Sequence, residues 1–148
     1  MTDRQFKAVF FDLGGTLRIA LLEEPWMRHA RRKMAEIAGA EMPYEDFYQF
    51  VENRYAVYRK WATDENRESN DLELWTKWLL PDYNQERIRQ VCHELSFQYR
   101  QSKGRRVLVD GGLEVIRGLH ERGYKLGIIS NLIGEHEVPD WLEEDGLD

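Results

Sequence analysis

The sequence predicts an α/β protein in which a partial parallel sheet is interrupted by an inserted block of helices. Two apolar runs without helical spacing, "FKAVFF" (residues 6–11) and "YKLGIIS" (124–130), read as buried parallel strands. Between them, from Pro25 to Gln101, apolar residues recur at helical intervals. That block, roughly 80 residues long, exceeds a simple crossover and suits an inserted subdomain. Residues 1–17 and 107–148 are therefore expected to form the partial core, and 18–106 the insertion.

Each element has a local reason. "PWMRHARRKMAEIAGA" sets Trp26, Ala30, Met34 and Ile37 on one face, with Gly39 near its end. "PYEDFYQFVENRYAVYRKWA" opens on Pro43 with Glu45 and Asp46, acids that suit the positive end of a helix. Its Phe47, Phe50, Val51, Tyr58 and Trp61 form the stripe. The polar stretch 63–70 reads as a loop, and "DLELWTKWLL" as a short helix closed by Pro81. Asn84 is the expected N-cap of a helix whose Ile88, Val91, Cys92, Leu95 and Tyr99 face inward. After Gly104 the alternation returns. Leu113, Ile116 and Leu119 mark a helix stopped at Gly123, the second strand follows, and a last helix has Pro139 in its first turn and Gly146 past its end.

Composition narrows the function classes. With 21 basic and 27 acidic residues the net charge is −6, which argues against a nucleic-acid footprint. No apolar stretch approaches the length of a membrane span, and the N-terminal run is broken by Asp12. The single cysteine, Cys92, has no internal partner for a disulfide and reads as a core thiol. The expected setting is cytoplasmic.

Parallel strands present ligand-binding groups at their carboxyl ends, where Asp12, Ser130 and Asn131 all fall. Asp12 alone is open to a plain reading, a strand-ending turn whose Gly14 and Gly15 supply positive φ. "DLGGTLRIALLEE" also resembles the phosphate hairpin of sugar kinases in the hexokinase–actin superfamily, but that fold continues in strands where this chain turns helical. A second resemblance spans most of the chain. "KAVFFDLGGTL" resembles the first motif of the haloacid dehalogenase-like (HAD) hydrolases, and "GGLEVIRGLHERGYKLGIISN" their second. The helical block between them resembles that superfamily's C1-type cap, and the core its Rossmann-like sheet.

The resemblance implies that Asp12 is a nucleophile attacking phosphorus and that Ser130 holds the transferring group. It implies that Mg²⁺ is held by Asp12 and the backbone carbonyl of Gly14, with Gly15, Thr16 and Asn131 around the phosphate. The substrate would be a small phosphorylated or halogenated molecule. Two departures stand out. The family's phosphatases carry a second Asp, the general acid, where this chain has Gly14. No Lys or Arg follows Ser130, and "EEDG" (143–146) reads as a solvated helix end rather than a strand-end acid pair. The third and fourth motifs are thus not found, and the expectation is half a core whose strand edges take a partner, a further copy or a missing C-terminal half. On this reading the 148 residues alone do not turn over substrate, and a dehalogenase-type enzyme or a non-catalytic binding module stand as alternatives.

In the cap, Arg28 and Arg32 of "RHARRK" are expected on a solvated face, with a lesser role against substrate. His29, His93, His120 and His136 show no spacing suited to zinc.

Overall fold

The structure is a computed structural model that describes residues 6–132, 134 and 136–147. Strand β1 (Ala8–Phe11) leads through a tight turn to β2 (Arg18–Leu21). Helices α1 (Glu24–Ala38) and α2 (Tyr44–Glu65) follow. A single turn α3 (Asp71–Glu73) runs into a π-helix, Leu74–Leu79, and then comes α4 (Gln85–Gln101). The chain returns as β3 (Arg105–Leu108), α5 (Gly112–Glu121), β4 (Lys125–Ile128) and α6 (Glu137–Asp145).

β1 and β4 pair in parallel, with Phe11 opposite Ile128. This is the sheet that the two apolar runs predict. β2 and β3 form a separate antiparallel ribbon, Arg18 opposite Leu108 and Leu21 opposite Arg105. The ribbon stands where the chain leaves the parallel pair for the helices and where it comes back. Neither strand of it was legible as a run of buried residues, because three of its eight positions are arginine.

The helical block has its own core. Met34, Phe47, Val51, Trp75, Leu79, Leu80, Ile88 and Leu95 are wholly buried there. Local chemistry sets its helix ends. Pro25 sits in the first turn of α1, where its missing N–H costs no bond, and Gly39 closes the helix at φ 73°. The Asn84 side chain accepts from the Arg87 amide at 3.0 Å, so the predicted cap is present. Two boundaries differ from expectation. α2 continues to Glu65, and the segment expected as one short helix is a helical turn followed by a π-helix. Its apolar residues lie five apart, Leu74 with Leu79 and Trp75 with Leu80. A wider turn, seen in the Leu80 amide bonding the Trp75 carbonyl at 2.9 Å, puts both pairs on the buried side. Trp26 also departs from its predicted stripe: it is 43 % exposed and donates its indole N–H to Gln101 at 2.9 Å.

A second, smaller core lies on one side of the parallel pair, where Leu13, Leu17 and Trp141 are buried among Phe11, Ile116, Ile128 and Val138. The opposite side carries Phe10 and Ile129, both mostly exposed. Gly127 leaves room for the Phe10 ring, since a Cβ there would stand 2.6 Å from it. The two sides of the pair are therefore unequal: helices cover one and leave the other open to solvent.

Arg18 ties α6 to the ribbon. Its side chain is 3 % exposed and lies over the Trp141 ring at 4.6 Å. The guanidinium donates to Asp145, to Glu144 at 3.3 Å and to the Arg106 carbonyl at 2.9 Å. The acids of "EEDG" are thus not merely a solvated helix end; Asp145 compensates a buried cation, which a residue of that kind requires.

Candidate active site

The register of the parallel pair decides what meets at its carboxyl edge. The Ile129 amide donates to the Phe11 carbonyl at 2.9 Å, continuing the β1–β4 ladder past the strands. Asp12 therefore emerges level with Ile129, and Ser130 one step further along the same edge. Asp12 and Asn131 are exposed, and Ser130 is half-buried. The two residues from the two motifs thus stand on neighbouring strands, at the end where an α/β sheet presents its ligand groups.

The turn after Asp12 is built by its own backbone. The amides of Thr16 and Arg18 both bond the Leu13 carbonyl, at 3.1 and 2.9 Å, and the Gly15 amide bonds the Arg18 carbonyl at 2.9 Å. Leu13 and Leu17 point into the core and anchor the turn at both ends. Gly14, Gly15 and Thr16 are left on the outside. Gly15 needs its φ of 76°, a conformation that side chains rarely adopt. Gly14 does not lie in that region, and no heavy atom stands within 4 Å of where its Cβ would be. The Gly14 position is therefore open to a side chain.

One carboxylate oxygen of Asp12 accepts the Leu13 amide at 2.8 Å. This orients the group and leaves its second oxygen free of that bond. Mg²⁺ takes oxygen donors and commonly keeps waters, using one or two carboxylates with substrate phosphate. An exposed Asp12 carboxylate with an exposed Gly14 two residues on suits such a partial set, although no three His, Cys, Asp or Glu side chains gather into a metal cluster among the described residues.

Arg28 and Arg32 engage neighbours within the helical block. Arg28 is 52 % exposed and 3.7 Å from Glu24, and the Arg32 guanidinium lies 5.3 Å from the Tyr44 ring. The apolar cleft of about 650 Å³ under the sheet is lined by Phe11, Leu17, Ile116, Ile128 and Trp141. It belongs to the covered side and includes neither Asp12 nor Ser130.

One cluster was not legible in the sequence. The buried Asp71 carboxylate accepts from Ser96 Oγ at 2.7 Å and bonds His93 Nδ1 at 2.6 Å. Ser96 in turn accepts the Trp75 indole N–H at 2.8 Å. The His93 ring meets His136 edge-on with centroids 4.6 Å apart, so two histidines that looked unrelated in sequence are neighbours. Asp71 reads as an ordinary helix-start acid and His93 as a polar flank of the α4 stripe, and only the packing of α3 on α4 joins them.

The family model for haloacid dehalogenase-like hydrolases matches residues 6–140. No curated protein and no solved structure matches the chain. No helix among the described residues is long and apolar enough to cross a membrane. With nearly the whole chain matched and a mixed α/β fold carrying the parallel pair, the chain belongs to the haloacid dehalogenase-like hydrolase family.

Proposed function

We propose that the protein acts on a small phosphorylated molecule through a covalent intermediate on Asp12. The observation that supports this reading is the β1–β4 register, in which Ile129 is level with Asp12 and Ser130 follows one residue further along the neighbouring strand. The free oxygen of Asp12 attacks phosphorus, the bond to the leaving oxygen breaks, and water later hydrolyses the acyl phosphate to regenerate Asp12. Ser130 and the Thr16 hydroxyl donate to the phosphoryl oxygens, with Gly15 and Asn131 exposed beside them. Bound Mg²⁺, held by Asp12 and the Gly14 carbonyl, would offset the repulsion between carboxylate and phosphate. Arg28 and Arg32 have a lesser place, as cationic groups toward the rest of the substrate.

Gly14 shapes the choice of substrate. With no carboxylic acid there, the leaving group departs unassisted, which favours acyl or aryl phosphates over alkyl esters. Such an acid typically contributes about 10²–10⁴-fold. The same glycine supports a second reading, displacement at a carbon–halogen bond, where no proton donor is needed.

The test is intact mass spectrometry after incubation with acetyl phosphate and Mg²⁺, alongside halide release from chloroacetate. The proposal expects one added phosphoryl group, absent in Asp12→Asn, and no halide. Halide release without phosphorylation would transfer the assignment to the second reading. Neither product, with no binding of beryllofluoride, would leave a binding module.

A further inference from the structure

A second cleft, of about 380 Å³, opens between α4 and the start of α6, and neither Asp12 nor Ser130 lines it. Its walls are His93, Glu94 and Phe97 from α4, Asp71 behind them, and Gly134, His136, Glu137 and Asp140 from the start of α6. Clefts of this size hold small organic molecules.

The hydrogen-bond inventory of the walls is one-sided. Ser96 accepts from Trp75 and so gives its own proton to Asp71. The Asp71 carboxylate can only accept, so His93 must carry its proton on Nδ1. In the neutral imidazole this makes Nε2, on the other side of the ring, an acceptor. Glu94 and Asp140 add exposed carboxylates. The cleft thus offers acceptors and calls for a ligand that brings donors.

Glu137 is the independent sign that something is meant to bind. It is 5 % exposed, yet neither carboxylate oxygen has a hydrogen-bond partner. The Arg100 guanidinium, 3.7 Å away, Arg106 and the nearby Gly134 amide only partly offset its burial, which holds its carboxyl above the usual carboxylate range. Buried carboxylates are rarely left so, because the lost hydration is not replaced. One of its oxygens lies over Gly134, another wall of the cleft.

We propose that this cleft is a second ligand site, taking a small organic ammonium ion. Its N–H groups bond Glu137, Asp140 and His93 Nε2 while Phe97 covers its apolar part. A metal ion needs donors converging on one point, and no three such side chains do so among the described residues. An extended amine needs only acceptors spread around it.

The test follows the histidine imidazole resonances during titration with putrescine and with its permethylated bis-quaternary analogue, which has the same charge and no N–H. The proposal expects saturable shifts at His93 and His136 with a Kd on the order of 1 mM. His29 and His120 should not respond, and the permethylated analogue should bind at least about tenfold more weakly. Asp140→Asn, at an exposed position that keeps the fold intact, should weaken putrescine about tenfold, as should Glu137→Gln. No saturation, an equal response to the permethylated analogue, or unchanged binding in both variants would overturn it. So would stoichiometric capture of Zn²⁺ at His93 and His136 that excludes putrescine.

Discussion

Asp145→Ala removes the most consequential partner of a buried cation. Arg18 has little access to water, and its remaining partners would be the Arg106 carbonyl and Glu144, the latter 67 % exposed and 3.3 Å away. Breaking one side of a buried pair costs about 3–5 kcal/mol. Here Glu144 retains a contact and Asp145 is 15 % exposed, so the expected loss is about 2–3 kcal/mol. For a chain of this length that lowers Tm by roughly 5–10 °C. Urea unfolding followed by circular dichroism measures it directly. Arg18→Met should cost less, because the abandoned Asp145 lies near enough to the surface to rehydrate while a methionine can still pack on Trp141. In the double variant the two losses should fall short of their sum by at least about 1.5 kcal/mol. Strict additivity, or a loss under about 0.5 kcal/mol for Asp145→Ala, would show that Arg18 is not held by this pair.

Ser96→Ala strips the Trp75 indole N–H of its acceptor inside the helical core and should cost about 1–3 kcal/mol in the same assay; a negligible change would mean that the indole finds another acceptor. Gly14→Asp places a carboxylic acid where the turn has open space, and should raise kcat/KM for alkyl phosphates about 10²-fold while leaving acyl phosphates little changed. An equal effect on both substrates would argue against proton donation. Burial, and then the Glu68 carboxylate that accepts its proton, push Tyr58 up to about 12 from an ordinary 10.0. Since the folded value is the higher one, the stabilisation is whole below pH 10 and is lost as pH rises through about 12. Tyr58→Phe should flatten that part of the alkaline stability curve, and an unchanged slope would assign it to other groups.

Elements that depend on near neighbours were legible in the sequence. The β1 and β4 runs, the Asn84 cap, the Gly39 and Gly146 stops and the α4 stripe each follow from a few consecutive residues. What could not be read depends on distant partners. "RIAL" and "RRVL" become strands because they pair across more than 80 intervening residues, and their arginines disguise the pattern. Arg18 is buried because Asp145, at the other end of the chain, compensates it. For the candidate site, the sequence supplied Asp12, Ser130 and the glycine turn. That the two strands are adjacent and in register is a fact of the sheet. The Asp71–His93–His136 cluster left no local signal, since each member has an ordinary role in its own element.

The ribbon of β2 and β3 makes the helical block a detachable module in the topological sense. Leu21 and Arg105 are paired across the ladder, so the points where the block is spliced in stand about 5 Å apart. That is the span of a hairpin turn. An Asn-Gly pair could close β2 directly onto β3, and the remaining chain would keep every hydrogen bond of the ribbon. The same spacing means that a block of different size can be grafted there without moving Asp12, provided its own ends lie equally close. Diversity of shape above the sheet and constancy of the sheet itself are thereby uncoupled at two adjacent residues.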